Sequence, residues 1–291
     1  MTEIPTLAVT GATGQLGRIV VRLLRERHPD IKVIALVRDV AKAGDLAALG
    51  AELRLFDYDQ PESLQGALEG VDKLLLISGN AVGERERQHR AVIDAAKAAN
   101  VGLIAYTSVL RASETSLPIA AEHKATELIL RGVGVPHVLL RHGWYLENYL
   151  FRVQAAAKDG KLVHCAGDGR ISAAARADYA EAAVAILTSP ESQAGKIYEL
   201  AGSDSFTFAD MAAETTRQSG RSVVAVDLPK PEFEAAIVAI GLPAFVAALI
   251  AKSDYGAREG GLFDDSRTLE RVIGREPTPL HQMITSALSG I

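Results

Sequence analysis

The sequence predicts an α/β fold, a doubly wound parallel sheet followed by a smaller C-terminal α+β lobe. Three observations predict it. A glycine-rich turn joins an apolar run to an amphipathic stretch near the start, short apolar runs alternate with helical stretches as far as Arg141, and beyond that residue the alternation weakens. Near-continuous apolar strands separated by helices imply a parallel sheet covered on both faces.

The first run, Leu7-Ala8-Val9, reads as a buried strand, and Ile19, Val20, Val21, Leu23 and Leu24 repeat as one face of a helix. Between them Gly11, Gly14 and Gly17 stand three residues apart. Gly11 permits a sharp turn, Gly14 leaves the backbone bare where a pyrophosphate would approach, and Gly17 lets the helix lie close to the strand. Thr13 stands where a helix N-cap would, and the free N–H groups with the helix dipole attract an anion. Gly11, Ala12, Thr13, Gly14, Gln15, Leu16 and Gly17 are therefore expected to hold a dinucleotide.

The rest of the first half follows the same rhythm. Strands are expected over Ile31–Val37, Ala51–Phe56, Lys73–Ile77, Val101–Thr107 and Val135–Arg141. Helices are expected over Ala41–Leu49, Leu64–Leu68, Glu84–Ala99 and Ala120–Arg131. Right-handed crossovers then place a ligand at the carboxyl ends of the strands. After Arg141, Ala177–Leu187 and Phe208–Gln218 look helical, Lys196–Leu200 and Val223–Val226 look like strands, and helices dominate from Pro231 onward. Residues 1–141 thus read as a nucleotide-binding domain, and 142–291 as mainly a smaller substrate-covering lobe with elements returning to the sheet.

Composition limits the function. Of the 291 residues 48% are hydrophobic, enough for a sizeable core. A net charge of −5 with no long run of one sign argues against a nucleic-acid surface and against a polybasic membrane patch. The one cysteine, Cys165, allows no internal disulfide and is expected to be structural. No basic segment precedes a long apolar one at the N-terminus, and no apolar run approaches a membrane span, so a cytoplasmic location is expected. The seven histidines are scattered without metal-site spacing. A homodimer stays open.

The end of the second strand reports on the nucleotide. An acid there selects NAD through the ribose 2′-hydroxyl, whereas an arginine accommodates the 2′-phosphate of NADP. The order Val37-Arg38-Asp39 favours NADP through Arg38. The alternative keeps Arg38 on the surface and Asp39 as the cap of the next helix. Asp57 either reaches the adenine amine or caps a loop, and Ser78-Gly79 would pass under the cofactor.

These residues carry a resemblance. GATGQLG at Gly11–Gly17, LVRD at Leu36–Asp39, LLLIS at Leu74–Ser78 and AYTS at Ala105–Ser108 resemble atypical short-chain dehydrogenases/reductases of the NmrA-like group. LRHGWYLENYL at Leu140–Leu150, RADYAEAA at Arg176–Ala183 and GGLFDDSRTL at Gly260–Leu269 are more specific. They resemble the bacterial NAD(P)H:quinone oxidoreductases of the second type, with triphenylmethane dye reductases as close relatives. The resemblance implies an NADP-binding Rossmann domain, a small C-terminal lobe and reduction of quinones by NADPH.

Typical short-chain dehydrogenases place Tyr-x-x-x-Lys on the helix after the fifth strand. If Lys124 holds the lysine position, Ala120 stands where the tyrosine would be. Reducing an isolated ketone leaves a strongly basic alkoxide and needs a placed acid. Reducing a quinone leaves an anion spread over a ring, which water can protonate. The missing tyrosine therefore suits quinones and cationic dyes, and catalysis rests mainly on holding cofactor and acceptor face to face, without flavin. Lys124 either holds the nicotinamide ribose or is solvated. Ser108 either hydrogen-bonds an acceptor carbonyl or caps a helix, and His123 is expected to pack rather than donate a proton.

Trp144, Tyr145, Tyr149 and Phe151 follow the sixth strand closely, and their flat rings would stack on a flat acceptor, or pack a hinge. The resemblance implies contacts from His142, Gly143, Trp144, Tyr145 and Glu147 to NADP. Asn148 is a candidate polar anchor of the acceptor, Arg176 either reaches the cofactor or pairs with an acid, and Phe263 closes the pocket or packs the core. Two further readings stand beside quinone reduction: reduction of triphenylmethane dyes or related electrophiles, and an NADP-binding redox sensor without turnover.

Overall fold

The structure, a computed structural model, describes residues 4–289. In chain order the elements begin β1 (Thr6–Val9), α1 (Gln15–Arg27), β2 (Lys32–Val37), α2 (Gly44–Ala48), β3 (Glu52–Leu55), α3 (Glu62–Ala67), β4 (Lys73–Leu76), α4 (Arg85–Ala98), β5 (Leu103–Val109), α5 (Ala120–Val133) and β6 (His137–His142). They continue with α6 (Leu150–Asp159), β7 (Lys161–His164), α7 (Arg176–Thr188), β8 (Ile197–Leu200), α8 (Phe208–Ser219), β9 (Val224–Asp227), α9 (Lys230–Ala239), α10 (Ala244–Arg258), α11 (Thr268–Ile273) and α12 (Leu280–Leu288).

The chain divides into two compact units, the first made of residues 1–112, 121–142 and 177–198. Its sheet has seven strands in the order β3-β2-β1-β4-β5-β6-β8. The pairs from β3 to β6 are all parallel, as the apolar strand sequences imply. Strand order reverses between β1 and β4, with Val9 opposite both Ala35 and Leu75. In such sheets ligands bind beyond the carboxyl ends of the strands at the point of reversal. On α1 the period of 3.6 buries Val20, Val21 and Leu24 completely. Ile34, Leu36, Leu74, Leu76, Ile104 and Tyr106 from the strands meet Val92, Ile93, Ala96, Ile129 and Leu130 of α4 and α5 in one core.

Several boundaries differ from the sequence expectation. The helix expected at Ala41–Leu49 is a 3₁₀ turn at Val40–Lys42 followed by the short α2, because Asp39 accepts the Ala41 N–H (3.0 Å) and closes a tight turn first. The fifth strand begins at Leu103 because both Gly102 and Leu103 donate to the Asp72 carbonyl. The sixth begins after Pro136, whose ring nitrogen has no proton to give a ladder.

The second unit comprises residues 113–120, 143–176 and 199–291. It holds a two-stranded parallel sheet, β7 with β9, and the helices α6 and α8 to α12. Helix α6 and strand β7 were not expected from the sequence. Their shortness and the aromatic residues leading into them obscure both periodicities. Arg152 of α6 is buried and makes two 3.0 Å bonds to Asp254 of α10. Its guanidinium lies over the rings of Phe208 (4.4 Å) and Phe233 (5.1 Å). Cys165 is buried in the adjoining core with Phe233, Ile237, Ala247 and Ala251, and burial pushes its thiol up to about 12. It is thus an inert packing residue.

Candidate functional site

In the first unit the turn after β1 has the features an anion site needs. Gly11 adopts φ +56°, a conformation that disfavours side chains. Its carbonyl accepts the Gly14 N–H at 2.8 Å. A Cβ on Gly14 would sit 3.1 Å from that carbonyl oxygen, and one on Gly17 only 2.3 Å away. Only bare backbone permits this approach of α1 to the turn. The N-cap of α1 is Gly14 and no side chain caps it, so the expected Thr13 cap is corrected. An oxygen from Thr13 would compete for N–H groups that an anion otherwise takes. Gly11, Thr13, Gly14 and Gln15 are exposed, whereas Ala12, Leu16 and Gly17 are buried beneath them. The residues present therefore fit a diphosphate at the start of α1.

Arg38 follows β2 directly, is exposed, and makes no ion pair or hydrogen bond among the described residues. Asp39 is committed to the Ala41 N–H and to Lys42 (3.1 Å), and the Lys42 contact chiefly holds its carboxyl below the usual range. The Asp57 carboxylate accepts from the Asp59 N–H (3.1 Å) and Gln60 Nε2 (3.3 Å), so it stabilises its own turn. Beside it the Tyr58 hydroxyl is buried near Thr10 without a well-formed hydrogen bond. Burial pushes that hydroxyl up to about 12, against the Thr10 hydroxyl and the nearby charge of Arg38.

Beyond β4 the chain runs alongside the glycine turn. Ile77 Cβ lies 3.8 Å from where a Gly11 Cβ would stand. Three successive N–H groups are held by side chains: Ile77 by Thr10 Oγ1 (3.0 Å), Ser78 by Thr107 Oγ1 (2.8 Å) and Gly79 by His89 Nε2 (3.1 Å). The segment at Ser78-Gly79 is thereby a fixed wall following β4.

The candidate catalytic residues are placed as follows. Ser108 is buried within β5, and its hydroxyl donates to Glu127 Oε1 (2.7 Å) rather than pointing at an acceptor. Glu127 is clasped by Arg141 Nε (2.9 Å) and Nη2 (2.6 Å), so Ser108 donates to the carboxylate of a buried ion pair. Lys124 lies on the exposed side of α5, and Ala120 is buried at its start. His123 is buried and bonded through Nδ1 to the Tyr106 hydroxyl at 2.8 Å. Burial lowers it to about 3, with Arg85 adding to the shift, so it is a neutral packing histidine. The His142 ring stacks on Tyr179 (4.4 Å) and burial lowers it to about 3.

In the second unit five of the expected residues come together. The Trp144 carbonyl accepts the Ala174 N–H (3.1 Å), and the Leu146 N–H donates to the Ala174 carbonyl (3.0 Å), which fixes Tyr145 between them. Arg176 lies over the Tyr145 ring (4.6 Å), and its Nη2 donates to Asn148 Oδ1 (2.9 Å). Glu147 accepts the Arg176 backbone N–H (2.9 Å) at the start of α7 and pairs with its guanidinium (3.6 Å). Glu147, Asn148 and Arg176 thus hold one another and set the pose of Tyr145. Burial pushes the Tyr145 hydroxyl up to about 12. The Gly143 N–H donates to the Leu200 carbonyl at 2.6 Å. Half-buried Phe263 sits in a stretch anchored on Ser172, which bonds Leu262 and Asp264. A separate cavity of about 280 Å³ in this unit is lined by Ser203, Asp210 and Glu214 among others. All three are engaged already, with Glu270, Thr207 and Arg217 respectively.

Sequence reasoning passed over Tyr58, Arg85, His89, Glu122 and Thr126, which surround the wall at Gly79. A signal was present. The buried stripe Val92, Ile93, Ala96 of α4 continues toward its N-terminus as Arg85, Gln88 and His89, polar residues on a core-facing stripe. Among the described residues no group of three or more histidine, cysteine or acidic side chains could hold a metal, and no helix is long and apolar enough to cross a membrane.

Comparison with known proteins supplies the remaining finding. A family model described as NAD(P)H-binding matches residues 11–190. The chain is 48% identical over 279 residues to quinone oxidoreductase 2 of Escherichia coli K12, covering 96% of this chain and 97% of that protein. The crystal structure of that bacterium's NADPH-dependent quinone oxidoreductase complexed with NADPH aligns with a TM-score of 0.94 at 47% identity, over 97% of this chain and 99% of the other. The triphenylmethane reductase of Citrobacter sp., complexed with NADP(H), aligns at 0.93 and 36% identity over 97% and 99%.

Proposed function

The chain belongs to the NAD(P)H-binding family, and from that premise we propose that it is an NADPH-dependent reductase of quinones that works without flavin and without a tyrosine acid. The observation that carries this reading is its 48% identity, across nearly the whole of both chains, to a quinone oxidoreductase. When bound, NADPH supplies a hydride to the quinone ring, and water supplies the proton that completes the hydroquinone. In the first unit the uncapped start of α1 holds the diphosphate, Arg38 takes the 2′-phosphate, and Ser78-Gly79 forms the wall. In the second unit Trp144 and Tyr145 offer flat surface to an aromatic acceptor, Asn148 and Arg176 keep Tyr145 in place, and Phe263 adds an apolar contact. Ser108 is committed to Glu127 and Lys124 lies on the exposed side of α5, which supports water rather than either side chain as the proton source. Position and orientation carry the rate.

The test is NADPH absorbance with and without a small quinone. Loss of absorbance only with quinone supports the reading. The likeness to triphenylmethane reductase favours a second reading, reduction of cationic dyes, and turnover of dye but not quinone would establish it. Tight NADPH binding with no turnover on either acceptor would instead indicate a sensor.

A further inference from the structure

Both backbone groups of Gly79 are gripped from α4. Its N–H donates to His89 Nε2 (3.1 Å) and its carbonyl accepts from Arg85 Nε (2.6 Å). His89 is completely buried, with its ring edge-on to Tyr106 (5.5 Å) and to Tyr58 (6.5 Å), so it cannot turn away. Since Nε2 accepts a proton donor, the ring proton resides on Nδ1, which faces Thr126 Oγ1 at 2.9 Å. The Thr126 hydroxyl donates in turn to the Glu122 carbonyl at 3.0 Å. The Glu122 carboxylate accepts from the Gly83 N–H (2.8 Å) and lies 3.4 Å from Arg85 Nη1. The bonds therefore form a circuit that leaves from one backbone group of Gly79 and returns to the other through α5.

We infer that His89 is a positioning residue for the cofactor: its neutral Nδ1–H form, selected by Thr126, holds Gly79 and so keeps the wall beside the glycine turn in its binding pose. The inference rests on the nucleotide reading above. Three observations support it beyond simple packing. Ile77, which leads into Ser78-Gly79, lies against the turn whose geometry fits a diphosphate, and the N–H groups of Ile77, Ser78 and Gly79 are held by three separate side chains instead of a neighbouring strand. The circuit is directional, so the opposite tautomer would set an N–H against the Gly79 N–H. The helix that elsewhere delivers a tyrosine acid here turns Glu122 and Thr126 to the service of this wall.

The test compares His89→Phe, His89→Gln, Thr126→Val and Thr126→Ser by NADPH titration of the full chain, with thermal unfolding recorded in parallel. His89→Phe keeps a ring but leaves the Gly79 N–H unpaired, and its Kd for NADPH should rise about tenfold. Thr126→Val is nearly isosteric and touches His89 rather than Gly79, and it should raise the Kd about three- to tenfold by releasing the tautomer. Glutamine at 89 and serine at 126 restore the missing acceptors and should recover most of the affinity. Long-range ¹⁵N spectra of the histidine ring should show Nδ1 protonated in the wild type and a mixture in Thr126→Val. Variants that melt earlier yet bind NADPH within about twofold of the wild type, or a wild-type ring protonated on Nε2, overturn the inference while leaving the cofactor reading intact. A wild-type chain that fails to bind NADPH overturns both.

Discussion

Replacing Arg38 with alanine should separate the two nicotinamide cofactors. Its guanidinium is exposed at the end of β2 and makes no ion pair or hydrogen bond among the described residues, so its removal breaks neither and takes away only its charge near Tyr58 and Asp59. A hydrogen bond to a charged group contributes about 1.5–3 kcal/mol, which converts to roughly 10- to 150-fold in affinity. Because Arg38 is exposed, solvent and salt reduce that contribution, and the lower end, about tenfold, is expected. The Kd and KM for NADPH should therefore rise about tenfold in Arg38→Ala, with NADH changed by less than about twofold. Arg38→Lys should fall between, since an ammonium keeps the charge but not the planar fork. The difference between NADPH and NADH should narrow as salt rises from 0.05 to 0.5 M, about where the screening length drops below 10 Å. Equal losses for the two cofactors, or a difference indifferent to salt, would refute the phosphate contact.

Other outcomes follow from the same geometry. Gly17→Ala places a methyl 2.3 Å from the Gly11 carbonyl oxygen. It should destabilise the fold by about 1–3 kcal/mol and abolish NADPH binding, read by melting and titration; an unchanged affinity would show that α1 does not need its close approach. Asp254→Ala strands the Arg152 charge between two phenyl rings and should cost about 3–5 kcal/mol in chemical denaturation, whereas the double change Arg152→Met with Asp254→Leu should recover most of it. His89, His123 and His142 are held neutral by burial, at about 4, 3 and 3. Their folded values lie below the unfolded 6.5, so the unfolded chain binds the extra protons. Stability is then full above pH 6.5 and falls as pH drops toward 4, by up to about 1.4 kcal/mol per pH unit for each histidine. Denaturation midpoints that stay flat between pH 7 and 5 would contradict that burial.

The nucleotide half of this molecule was legible because its signals are local. Gly11, Gly14 and Gly17 name their own turn, and runs such as Lys73–Leu76 admit no environment but a covered sheet. Arg38 could be singled out because the role proposed for it depends only on its place after β2. What the sequence concealed is relational. Glu147 was named only through the resemblance, and its capping of α7 through the Arg176 N–H is a partnership across 29 positions. Ser108 looked available, but its partner Glu127 lies one helix away. His89 went unnoticed since a single buried histidine has no pattern until Gly79, Thr126 and Glu122 are seen around it. In the second unit the short β7 and the apolar α9 and α10 carry too little alternation to declare their partners.

The bare first turn of α1 has a metabolic consequence. A helix that leaves its leading amides to water is less stable alone than one with a serine or aspartate cap, by about 1 kcal/mol. Any diphosphate that docks there stabilises only the folded chain, by about 2.7 kcal/mol once it exceeds its Kd a hundredfold. Resistance to heat and to proteases should then track the total supply of NADP(H), since the oxidised and reduced forms carry the same diphosphate. A cell short of that nucleotide in both forms would hold this reductase in a softer, more easily degraded form, so its abundance would follow the cofactor pool it draws on.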